Sequence, residues 1–73
     1  MSTQATNYKL LVKRKENRLY QRDVAKKLGI NEQTYYKKET GRTEFTIREA
    51  RMLAKLFDCS LDELFGEELE HAI

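Results

Sequence analysis

Side chains suited to covalent chemistry are scarce in this chain, whereas hydrogen-bonding ones are concentrated in a single stretch. There is one His and one Cys. No glycine-rich phosphate loop is present, and no carboxylates cluster in the way a catalytic pocket requires, which argues against an enzyme. The stretch from Gln21 to Gly41 reads QRDVAKKLGINEQTYYKKETG. Its second half carries Glu32, Gln33, Tyr36 and Lys37, whose spacing puts them together on one helical face. These groups match the edges of base pairs. Gln can pair bidentately with adenine, Lys can donate to guanine, and Glu can accept from a cytosine amino group. An apolar face at these positions would have favoured a protein partner.

The flanking residues are those needed to hold such a face in place. Gln21–Leu28 predicts a helix with Val24, Ala25 and Leu28 on one side. Gly29 stands where that helix ends, because glycine takes the left-handed conformation without steric cost. Asn31 is a good N-cap for a second helix over residues 32–40, which Gly41 ends in the same way as Gly29. A tight turn of three residues joins the two helices, and Ala25 is small enough to let them approach. This is the geometry that places a helix in the major groove of DNA.

Three further helices complete an all-α chain. Helix 1 is expected over residues 7–17, capped by Asn7 or Thr6, with Tyr8, Leu10, Leu11 and Val12 as apolar contacts. Thr46 and Glu49 form a capping box for helix 4, with Phe45 as a staple against Ala50. Ile47, Ala50, Leu53, Ala54 and Phe57 then form its apolar stripe. Ser60 and Glu63 form a second capping box, so helix 5 starts at Leu61 and buries Leu61, Leu64 and Phe65, with Gly66 as a candidate stop. Five short helices around one core follow. Residues 1–6 are expected to be disordered, 7–66 to form the domain, and 67–73 to be an acidic tail or short helix.

Composition agrees with that outline. The 73 residues allow one domain; there is no proline, 36% are charged and 40% are apolar. No apolar run approaches the roughly 20 residues that span a bilayer. The N-terminal residues lack the apolar core of a signal peptide, so a cytoplasmic location is expected. Cys59 has no partner for an internal disulfide and reads as a small apolar residue in a turn, fitting a reducing compartment. His71 lies in an acidic segment without metal-ligand neighbours, and no metal, cofactor or small-molecule ligand is expected. The net charge of +2 conceals a strong polarity. Residues 1–57 hold all 14 Lys and Arg against six acids, a net of +8, while residues 58–73 hold six acids and no Lys or Arg. A basic body with an acidic end suggests a polyanion on one side.

Residues 8–65 resemble the lambda-repressor/Cro-type (XRE-like) helix-turn-helix domain, in particular its short prophage-type regulators. The resemblance rests on Gln21-x-x-Val24-Ala25-x-x-Leu28-Gly29-Ile30 and Thr34-Tyr35-x-x-x-Glu39-x-Gly41. Phe45-Thr46-Ile47 and Ser60-Leu61-Asp62-Glu63-Leu64-Phe65 complete it. It implies a five-helix, lambda-repressor-like fold that binds double-stranded DNA. It also implies base readout by Glu32, Gln33, Thr34, Tyr36 and Lys37, with Thr34 near a phosphate or a thymine methyl. Phosphate contacts are implied for Gln21, Asn31, Thr40, Arg42 and Arg14, fixing register without reading sequence. Arg14 and Glu39 resemble the family's ion pair tying helix 1 to the end of helix 3. Tyr35 is expected in the core, and Lys26 and Lys27 as solvated charges. Three residues depart from the family pattern. Tyr20 stands in place of a Ser or Thr cap, Arg18 where glycine is common, and Lys38 where an apolar residue is common. The Lys38 stem is expected to pack and its ammonium to reach solvent.

Two functions follow. The first is a sequence-specific regulator, a Cro-like repressor binding a near-palindrome as a homodimer, since no inducer-binding or cleavage domain fits after residue 66. Leu61, Leu64, Phe65, Leu69 and Ile73 exceed what so small a core needs and are expected to help form the dimer. The alternative is a protein-interaction module, an antitoxin or adaptor, using helix 5 and the tail.

Overall fold

The computed structural model describes the backbone of residues 6–71 and the side chains of residues 6–66. Its helices are α1 (Tyr8–Glu16), α2 (Gln21–Leu28), α3 (Glu32–Glu39), α4 (Ile47–Leu56) and α5 (Leu61–His71). The expected caps start four of them. The Asn7 carboxamide accepts from the Leu10 amide, Asn31 accepts from the Thr34 amide, and Thr46 and Glu49 exchange both bonds of a capping box. Ser60 and Glu63 do the same before α5. At α2, Tyr20 offers no side-chain cap, but the Asp23 carboxylate accepts from the Tyr20 amide at 2.7 Å, half of such a box.

Four helices stop in one way. After α1, α2, α3 and α4 a residue turns left-handed, at Arg18, Gly29, Gly41 and Asp58, and the next amide donates back to a carbonyl five residues earlier. These bonds run from Leu19 to Arg14, Ile30 to Ala25, Arg42 to Lys37 and Cys59 to Ala54. They satisfy carbonyls that the helix end would leave bare. Arg18 (φ 58°) adopts this conformation against its own Cβ.

Leu10, Val24, Ala25, Leu28, Tyr35, Leu53, Ala54, Phe57, Leu64 and Phe65 form the buried core. Helix α2 packs on α3 and α4, and α5 packs on α1 and α4. Phe45, from the α3–α4 loop, lies edge-on to both Tyr35 (5.9 Å) and Phe65 (5.7 Å), so it joins α3 to α5 beyond the helix it precedes. Asn7 ties α1 to two other helices. Its amide N–H donates to the Glu39 carbonyl, and its side-chain Nδ2 donates to the Leu64 carbonyl.

Several apolar expectations are corrected. Tyr8 and Val12 are exposed, because the buried side of α1 is set by Leu10 and Arg14, on the opposite face. Ile47 is 77% exposed: it keeps the spacing of the apolar stripe but, as the first residue of α4, precedes the part of the helix that the core covers. Gly66 is buried and does not stop α5, which continues to His71 after a break at Phe65 (φ −130°, ψ 18°). Leu64 and Phe65, expected at a dimer interface, are buried in the core of their own chain, and Leu61 is half-buried against it. The Leu69 side chain and Ile73 lie outside the described residues.

Candidate nucleic-acid interface

Helix α3 is built from its caps outward. Gly29 takes φ 77°, and the Asn31 cap starts α3 two residues later. A Cβ at Gly29 would meet nothing within 4 Å, so the glycine is required by backbone conformation and not by crowding.

The inner side of α3 is Tyr35 and Glu39, both 0% exposed. Glu39 is the meeting point of three helices. Its carboxylate accepts from Arg14 Nε at 2.9 Å and Arg14 Nη2 at 3.2 Å, both from α1. It also accepts from Gln21 Nε2 of α2 at 2.8 Å and from the Tyr35 hydroxyl of α3 at 2.8 Å. Burial alone would push the Glu39 carboxyl up, yet the donated hydrogen bonds, Arg14 foremost, hold it below the usual carboxylate range. The same bond to Glu39 raises Arg14, and burial followed by that carboxylate raises the Tyr35 hydroxyl. Arg14 Nη1 donates to the Leu19 carbonyl at 3.0 Å. The guanidinium is largely enclosed, yet Arg14 borders the open groove beside the start of α2.

The outer side is different. Glu32, Gln33, Tyr36 and Lys37 are exposed, and none of their side chains makes a hydrogen bond or ion pair among the described residues. Thr34 is half-buried at the first turn. Gln21 keeps one amide proton after donating to Glu39, and Asn31 keeps its amide donors after capping with its oxygen. Arg42 is exposed just past the end of α3. The Thr40 hydroxyl donates to the Tyr36 carbonyl at 2.7 Å, so its proton is already engaged.

A second, part-buried pair ties the same C-terminal end of α3 to α4. Lys38 Nζ reaches Glu49 at 2.7 Å and the Glu44 carbonyl at 3.2 Å, 5.9 Å from the Phe45 ring centre. Its ammonium is thus held inside the α3–α4 junction, where escape to solvent was expected. Burial would raise Glu49, but the Lys38 and Thr46 hydrogen bonds outweigh it and lower it.

Sequence reasoning missed three parts of this arrangement. The convergence of Gln21 and Tyr35 on Glu39 had one available signal, the four-residue spacing of Tyr35 and Glu39 on one helix face. The Lys38–Glu49 pair spans a loop and had none. The third is an open groove beside the start of α2, lined by Lys15, Arg18, Tyr20, Gln21, Arg22 and Glu32. There the Arg22 guanidinium lies 4.7 Å from the Tyr20 ring centre. The basic run across the α1–α2 turn was its visible trace. No group of His, Cys, Asp and Glu among the described residues could hold a metal ion.

This is a helix-turn-helix whose second helix presents an exposed polar face, and the comparison with known families agrees on the fold. The helix-turn-helix family model matches residues 11–64, and the chain belongs to that family, of the lambda-repressor/Cro (XRE) type. Searches of curated proteins and of solved structures found no match. Family membership makes the chain a DNA-binding transcription regulator, and the family is not an enzymatic one. No helix among the described residues is long and apolar enough to cross a membrane.

Proposed function

We propose that the chain is a Cro-like, prophage-type repressor that acts in the cytoplasm and binds a near-palindromic operator as a homodimer. The observation that carries this reading is the outer face of α3. It is polar, exposed and without a partner among the described residues, on a helix whose inner face is fixed by Glu39. Gln33 and Lys37 read base edges, with Glu32, Tyr36 and Thr34 beside them. Gln21, Asn31 and Arg42 meet phosphates, and Thr40 does so only by releasing the Tyr36 carbonyl. One chain covers one half-site, so two copies set their α3 helices about 34 Å apart, one DNA turn.

Titrating a duplex selected from a random library across salt tests the reading. With roughly four to six phosphates neutralised per dimer, log affinity falls with log salt at a slope of about −4 to −5. A slope near zero would overturn it.

A further inference from the structure

Helix α4 has an outward face as well as the face it turns to the core. It carries Ile47, Arg48, Arg51, Met52 and Lys55, which together line a shallow open surface. Ile47 is 77% exposed, Arg48, Arg51 and Lys55 are exposed, and Met52 is half-buried. None of the three cations has a hydrogen-bond or salt-bridge partner among the described residues. Helical spacing puts Arg48, Met52 and Lys55 opposite Leu53, Ala54 and Phe57, by which α4 enters the core, while Ile47 lies at the exposed start of the helix. An exposed isoleucine beside a methionine is a poor match for a phosphate backbone. An apolar strip flanked by cations matches a protein segment that alternates acids with apolar residues.

The chain contains such a segment. Residues 67–73 read EELEHAI, acids interleaved with Leu69 and Ile73, in the part of the sequence that holds six acids and no Lys or Arg. Its first residues ride on helical backbone that runs on to His71. That helix is anchored by Leu64 and Phe65 on the core side of α4, away from the outward face. We infer that the outward face of α4 receives the acidic end of α5 from a second copy of this chain. A two-fold pairing repeats the contact, so each copy gives one acidic segment and takes one. This explains how the chain can dimerise when Leu64 and Phe65 are spent on its own core. The inference rests on the dimer reading above, and its test is run without DNA so that self-association is read apart from operator binding.

The experiment is sedimentation velocity at rising protein concentration, in low and high salt. One variant carries Arg48→Glu, Arg51→Glu and Lys55→Glu; a second carries Glu67→Lys, Glu68→Lys and Glu70→Lys; an equimolar mixture of the two is the third sample. Each reversed variant alone self-associates at least about tenfold more weakly than the parent chain, and the mixture pairs again, because in the mixed dimer both contacts join opposite charges. High salt weakens the parent dimer. Ile47→Ser weakens it without changing net charge. Circular dichroism and melting confirm that these surface variants stay folded. A parent chain that is monomeric at every concentration in low salt overturns the inference, as do reversed variants that associate like the parent. Loss of duplex binding by the α4 variant with self-association unchanged also overturns it, and gives the face to DNA. Failure of the dimer reading itself has a different signature, equal affinity of the parent chain for a half-site and for the full palindrome.

Discussion

The two faces of α3 are made of similar residue types and put to opposite uses. Tyr35 and Glu39 face inward, fully buried, with every polar atom bonded; Tyr36 and Lys37 are their neighbours in sequence and face solvent with no partner among the described residues. The difference follows from what lies opposite each face. A buried carboxylate is tolerable only if donors surround it, and α1 and α2 supply Arg14 and Gln21. The outer face is exposed, and its hydrogen-bonding capacity has no partner among the described residues. A rigid back holding an uncommitted front limits the entropy lost on binding. The two faces should therefore respond to mutation in separable ways.

The inner face gives the largest effect. Glu39→Ala leaves the Arg14 guanidinium buried without its carboxylate and strips a partner from Gln21 and Tyr35. It should cost about 3–5 kcal/mol, much of the stability of a domain this small. Denaturant unfolding measures this loss, and an effect below about 1 kcal/mol would mean the two faces are not so different. The same carboxylate sets an acid limit. Folding lowers the pKa of Glu39, so the unfolded chain binds more protons as acid is added. Its contribution is whole above the ordinary carboxylate value of about 4.3 and drains as pH falls through the lower folded value. Glu49 is lowered in the same direction. Glu39→Gln should flatten the decline, read from melting temperature against pH.

The outer face gives a smaller effect on a different quantity. Gln33→Ala and Lys37→Ala should each weaken binding to the preferred site by about 1–3 kcal/mol while moving stability by less than about 0.5 kcal/mol. The smallest effect tests whether backbone strain borders the site. Arg18 holds φ 58° at the α1–α2 turn, so Arg18→Gly should raise stability by about 0.5–1 kcal/mol, measured by thermal unfolding.

What could be read from the sequence was local. Gly29, Gly41, Asn31, the Thr46–Glu49 box and the Ser60–Glu63 box act within a turn or two of themselves, so residue type and spacing reveal them. The fold followed, because these signals place the helix ends and leave little freedom in how five short helices cover a core. What could not be read depends on contacts between distant segments. Lys38 finds Glu49 across a loop, and Asn7 finds the Leu64 carbonyl from the other end of the chain. Ile47 fits the apolar spacing of α4 yet precedes the part of that helix the core covers. Leu64 and Phe65 looked surplus because the number of apolar residues does not reveal that Phe45 would need Phe65 as a partner. At the site, the outer face of α3 was legible from type and period. The sharing of Glu39 by Gln21 and Tyr35 was not.

The division between the faces is tested most directly base pair by base pair. A half-site selected from a random library is varied one position at a time, and each variant competes for the parent chain, for Lys37→Ala and for Arg42→Ala. Lys37→Ala should lose discrimination at one base pair and keep it elsewhere, while Arg42→Ala should bind every variant more weakly by about the same factor. If the two proteins give the same pattern, or if Lys37→Ala discriminates as the parent chain does, the outer face of α3 does not read DNA.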